Sequence, residues 1–202
     1  MFDNFRFQSI IPVFFFGLFL LPAALFAASG DLDATFGTGG RVLLDTGGDD
    51  SAAASVIQPD GKTIVAGRSA FVTDYDVSLV RYNSDGTLDP TFGTGGKAVT
   101  PFSSYYDAAT AVALQPDGRI VVAGYGADNN NLASGYNFAL ARYTVNGVLD
   151  TSFSGDGKQM TDFAMSADYA RAVFILGDGR ILVAGGAMNG RDDDLALARY
   201  LP

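Results

Sequence analysis

A chain of 202 residues with 13 basic and 22 acidic side chains, net charge −9, lacks the positive charge that phosphate neutralisation needs, which argues against nucleic acid and anionic membranes as partners. It has no His, Cys or Trp, so Ser-His-Asp and Cys-His nucleophile pairs, disulfides and nitrogen- or sulfur-ligated zinc are excluded. Every acid is Asp, and with 25 Gly this favours a chain of turns and strands over helices.

Residues 1–29 are a different material from the rest. Arg6 precedes an almost wholly apolar stretch over residues 10–26, which closes on Ala27-Ala28-Ser29, a small-x-small pattern before Gly30. The run is short for a membrane span and is broken by Pro12, Gly17 and Pro22. A cleaved signal peptide is therefore expected, followed by one domain over 30–202. That domain would be exported to an extracellular, periplasmic or cell-surface location without stable membrane insertion.

Residues 30–202 read as three repeats, about 30–86, 87–147 and 148–202. Leu32-Asp33-Ala34-Thr35-Phe36-Gly37 returns as Leu88-Asp89-Pro90-Thr91-Phe92-Gly93 and Leu149-Asp150-Thr151-Ser152-Phe153-Ser154. Four short strands are predicted per unit, in the first copy 41–44, 53–58, 63–67 and 77–82. Between the second and third strands lies an Asp-Gly hairpin signal at Asp60-Gly61, Asp117-Gly118 and Asp178-Gly179, where the glycine takes positive φ. The third strand ends in Ala-Gly at Gly67, Gly124 and Gly185. It is apolar on both faces, as in Ile120-Val121-Val122-Ala123, which predicts burial between two layers. The fourth carries Arg81-Tyr82, Arg142-Tyr143 and Arg199-Tyr200.

These ordered blocks resemble the bacterial delta-60 repeat proteins over nearly all of residues 30–201. The third copy departs by lacking the hairpin proline and one linker glycine. The resemblance implies a propeller-like exported repeat protein and carries over no catalytic residues. The fold class expected is all-β, with three four-stranded repeats as β-propeller-type blades; threefold closure resembling a β-trefoil is the alternative. Propellers typically need four or more blades, so two chains pooling theirs in a homodimer is one route to closure.

Among the repeated acids, Asp50, Asp107 and Asp168 stand at the end of the loop before the second strand. Gathered together they would offer oxygen ligands to a calcium ion; separately they would cap loop backbone, which is the expected role, with no cofactor needed. Arg81, Arg142 and Arg199 are expected to ion-pair with Asp33, Asp89, Asp150 or a hairpin Asp. A repeated acid is a poor single active site, so a non-catalytic scaffold that binds an unknown protein or carbohydrate is favoured. The alternative is an Asp-based, calcium-dependent hydrolase or lyase of propeller type. Turns and linkers repeat closely, whereas the loops at 71–76, 126–136 and 188–193 vary, so a partner is expected at their end.

Overall fold

The computed structural model describes residues 28–71, 74–103, 105–127, 135–163 and 166–202. The expected signal segment lies almost wholly outside them, as does the insertion at 128–134. No helix among the described residues is long and apolar enough to cross a membrane. Leu32–Pro202 forms one compact unit.

Each hairpin arises from the local chemistry of its Asp-Gly pair. Gln115 N donates to Arg119 O at 2.8 Å, Gly118 N donates back to Gln115 O at 2.9 Å, and the Asp117 carboxylate accepts from Arg119 N at 3.0 Å. Gly118 has φ of 83°, a conformation open to glycine at little cost. The third repeat builds the same turn without proline: Leu176 N reaches Arg180 O at 2.8 Å and Asp178 caps Arg180 N at 3.1 Å.

The hairpins extend into antiparallel meanders. In the first, β1 (Asp50–Ile57), β2 (Thr63–Phe71), β3 (Asp74–Tyr82) and β4 (Lys97–Thr100) lie in sequence order. The second repeats this with β5 (Ala108–Leu114), β6 (Ile120–Ala127), β7 (Tyr136–Tyr143) and β8 (Lys158–Thr161). The third has three strands, β9 (Asp168–Ile175), β10 (Ile181–Met188) and β11 (Asp193–Tyr200).

This corrects the predicted grouping. The short strand after each linker was expected to open its own repeat, but it instead closes the sheet of the preceding one: Val77 faces Thr100, and Phe138 faces Thr161. The reason lies in the linker, a compact turn in which Gly96 N donates to Phe92 O at 2.8 Å, which sends the chain back antiparallel to β3. Residues 41–44, the same segment of the first repeat, form no strand.

The sheets stack face to face. Ile64, Ala66, Val77 and Leu79 of the first sheet pack against Ile120, Val122, Ala141 and Tyr143 of the second. The other face of the second sheet, with Val121, Ala123, Phe138 and Leu140, packs against Ala170, Val173, Ile181 and Val183 of the third. The middle sheet is thus covered on both sides, which accounts for the apolar run in β6. The architecture is all-β and propeller-type: successive meanders stack as blades, without the threefold closure of a trefoil, and the array does not close on itself.

Candidate functional site: a tyrosine-lined loop end

The repeated charged residues serve the blades. Arg81 Nε donates to Asp89 at 2.8 Å, with both side chains buried, and Arg142 Nε does the same to Asp150 at 2.9 Å. Each Asp belongs to the linker that follows, so the pair locks the turn onto the strand it leaves. The lysine after the first hairpin joins in, Lys62 Nζ reaching Asp89 at 2.8 Å. Hydrogen bonds from Lys62 and Thr91, with the Arg81 charge, hold the Asp89 carboxyl well below the usual carboxylate range. Each guanidinium also lies over a linker ring, Arg81 4.8 Å from Phe92 and Arg142 4.9 Å from Phe153. Arg199 is exposed and takes no such partner among the described residues. The hairpin acids Asp117 and Asp178 pair locally with Arg119 and Arg180.

Asp50, Asp107 and Asp168 each accept from loop backbone. Asp50 takes Thr46 N at 2.8 Å, Asp107 takes Phe102 N at 2.7 Å and Ser103 N at 2.8 Å, and Asp168 takes Phe163 N at 2.7 Å. Asp50 is exposed, whereas Asp107 and Asp168 are fully buried, and burial pushes both of those carboxyls up. One Asp168 oxygen is buried without a hydrogen-bond partner. Among the described residues no three acids come together in a group that could hold a metal ion.

The feature that sequence reasoning missed is where the tyrosines gather. Of the nine, Tyr82, Tyr143 and Tyr200 are the repeated strand residues; the latter two reach across to the neighbouring blade, donating to Thr100 at 2.7 Å and Thr161 at 2.9 Å. The other six, Tyr75, Tyr105, Tyr106, Tyr125, Tyr136 and Tyr169, all stand at the end where β1, β3, β5, β7 and β9 begin. Tyr125, Tyr136 and Tyr169 form a three-way cluster with centroid separations of 5.1–5.7 Å that spans two blades. Tyr75 stacks on Tyr106 at 5.2 Å across the other blade junction, with Arg68 lying 4.6 Å from the Tyr75 ring centroid. These rings are half-buried or, for Tyr106, exposed. Burial raises the Tyr136 and Tyr169 hydroxyls above their ordinary range, so both stay neutral donors at physiological pH.

Beside this ledge, Asp76 lies opposite Ser69, and the Asp76 Oδ1 and Ser69 Oγ atoms are buried without hydrogen bonds. Burial first, then the charges of Asp74 and Asp107, push the Asp76 carboxyl up to about 6. Its folded pKa exceeds that of the unfolded chain, so the native state keeps the proton longer and stability falls as pH rises from about 4 to 6, then levels. Asn137 occupies the corresponding place in the second repeat. Asp76→Asn should therefore remove that part of the fall, gaining about 1 kcal/mol at pH 7 after allowing for solvent screening, and nothing at pH 3.5. Denaturant melts at the two pH values check this; an equal effect at both would exclude a titrating Asp76.

The hairpins, β2–β3 pairs and linkers just described coincide with a family model, "Domain of unknown function (DUF5122) beta-propeller", which matches residues 58–92, 115–153 and 176–202. The chain belongs to that family. No curated protein matches it. The DUF5122 segments hold the repeated Arg-Tyr strands and Asp-Gly turns but omit residues 93–114 and 154–175. Tyr105, Tyr106 and Tyr169, with Asp107 and Asp168, thus lie outside the shared pattern. The ledge combines Tyr75, Tyr125 and Tyr136 from the matched segments with Tyr105, Tyr106 and Tyr169 from outside them.

Proposed function

We propose that this DUF5122 chain is an exported, non-catalytic scaffold that binds a protein or carbohydrate ligand at its loop end. One observation carries the reading: the six tyrosines outside the Arg-Tyr motif all lie at that end, and apart from Tyr75 and Tyr136, which correspond, each holds its own place in the repeat. A residue fixed in every repeat answers to packing, whereas aromatic residues that break the pattern and share one surface answer to something outside the blade. Tyrosine suits such contact because it offers a large, rigid, amphipathic face with only two side-chain torsions to immobilise. The opposite end is occupied by the near-invariant turns and the Arg–Asp locks. The signal-like residues 1–29 and the resemblance to delta-60 repeat proteins support export.

Immobilised protein presented with a glycan array and with secreted proteins of the source cell should capture a ligand through this end. The triple variant Tyr125→Ala, Tyr136→Ala, Tyr169→Ala should weaken that binding by about 100-fold or more, as expected for clustered aromatic anchors. It should keep the wild-type β-sheet circular dichroism. Undiminished binding by the folded triple variant would overturn the assignment of the surface.

A further inference from the structure

The two outer faces of the blade array are the complementary halves of the interface already seen between blades. The outer face of the first sheet carries Val65, Val80 and Tyr82, where the second sheet carries Val122, Ala141 and Tyr143 against a preceding blade. A groove of about 390 Å³ separates this face from the segment from Phe36 to Thr46. At the far end, Leu195 and Leu197 of β11 are exposed, Leu197 at 62%, although their counterparts Phe138 and Leu140 are buried at 0%. Among the described residues the outer edge of β11 pairs with no strand, while β3 and β7 are closed by β4 and β8.

The missing strand is present elsewhere in the chain. Residues 41–44 correspond in the repeat to β4 and β8, and the linker before them is already set as the other linkers are. Gly37 N donates to Asp85 O at 2.7 Å as Gly93 N does to Asn146 O at 2.7 Å, and Gly40 N to Phe36 O at 2.9 Å as Gly96 N does to Phe92 O at 2.8 Å. Yet 41–44 pairs with no strand, and Leu43 is 97% exposed. Asp33 is shaped in advance as an acceptor, one oxygen holding Thr35 N at 2.9 Å and Thr35 Oγ1 at 2.6 Å, matching Asp89 with Thr91 at 3.0 and 2.7 Å. Its second oxygen takes no donor among the described residues, and Arg199, the counterpart of Arg81 and Arg142, takes no acceptor.

We infer that two copies of this chain join head to tail into a closed six-bladed ring, residues 41–44 of each completing the third sheet of the other. The register of β3 with β4 and of β7 with β8 then sets Leu195 opposite Leu44, Ala196 opposite Leu43, Leu197 opposite Val42 and Ala198 opposite Arg41. Arg199 binds Asp33 of the second copy and lies over its Phe36, and the first sheet's outer face covers Leu195 and Leu197. Two copies supply six blades, inside the usual range of about four to eight, and one interface used twice under twofold symmetry gives each third sheet its fourth strand and leaves no blade face uncovered.

The full chain should sediment at twice the mass of one chain at micromolar concentration. Arg199→Asp and Asp33→Arg each reverse an exposed charge and leave the blade cores intact, so each variant alone should sediment as a folded monomer. Mixing the two variants should restore the double mass, since the mixed ring contains one native and one reversed Arg–Asp pair. Because the chain has no cysteine, a variant carrying both Leu43→Cys and Ala196→Cys should form only intermolecular disulfides. A monomeric wild type, an open-ended series of masses, or a dimer indifferent to both charge reversals would overturn the inference.

Discussion

Asp150→Ala is expected to cost about 3–5 kcal/mol, the range for removing one partner of a buried ion pair. The size follows from what is left behind. Arg142 is buried, with its Nε on Asp150 at 2.9 Å and its terminal nitrogen on Ser152 at 3.0 Å, so the truncation strands a guanidinium charge between blade and linker. It also frees Ser152, whose backbone N and hydroxyl both bond Asp150, and opens the turn that delivers β8 to β7. Urea melts should show a lower midpoint with an unchanged slope. A second signature comes from pH. The Asp150 carboxyl is held below its ordinary value by the Ser152 hydroxyl first, with Arg142 and Arg119 adding, so its contribution is complete above about pH 4. That contribution is lost as pH falls through the depressed folded value, and the gap between wild type and variant should narrow there. A constant gap down to pH 2 would assign the loss to side-chain packing instead of charge.

The parts of this fold legible in the sequence are those in which a residue type answers to its own backbone. Asp-Gly at 117–118 specifies its turn whatever lies around it, and the two-faced apolar run Ile120-Val121-Val122-Ala123 announces a covered strand. Which sheet a four-residue strand joins is a different matter. Lys97–Thr100 has the same local preferences beside either neighbour, and only the compact Leu-Asp-x-Thr-Phe-Gly turn, a tertiary object, returns it to β3. The same applies to the acids: Asp50 and Asp107 hold one repeat position, yet one is exposed and the other is fully buried, because burial depends on the loop folded above each. The tyrosine ledge was hidden for a further reason. Tyr75 and Tyr136 share one place in the repeat, but Tyr106, Tyr125 and Tyr169 each hold another, so comparing copies separates residues that the stacking of blades unites. Subtracting the repeated tyrosines and asking which strand ends carry the remainder would have found it.

Gly124→Ala should be nearly as damaging, for a reason that explains the Ala-Gly pair repeated within β2, β6 and β10. A Cβ on Gly124 would stand 1.9 Å from Ala108 O, and on Gly67 and Gly185 it would stand 1.9 Å from Ser51 O and 2.1 Å from Tyr169 O. All three glycines face a bulge, where the register slips between Ala52 and Ala54, Ala109 and Ala111, or opposite Ala184 and Gly185. In the middle blade the residue set aside by the bulge is Thr110, whose hydroxyl donates 2.7 Å to Ala170 O of the next blade. A methyl group at 124 must push β5 from β6 in a sheet packed on both faces, where neither strand can retreat without opening a core. The expected loss is about 3 kcal/mol, the upper end of overpacking penalties. Gly177→Ala is the matched control: nothing lies within 4 Å of its Cβ position, and its φ is not positive, so the same substitution should be neutral or gain about 0.4–1 kcal/mol by restricting the unfolded chain. Paired urea melts decide the matter: equal effects at 124 and 177 would mean that β5 moves freely and that the bulge, not the glycine, sets the spacing.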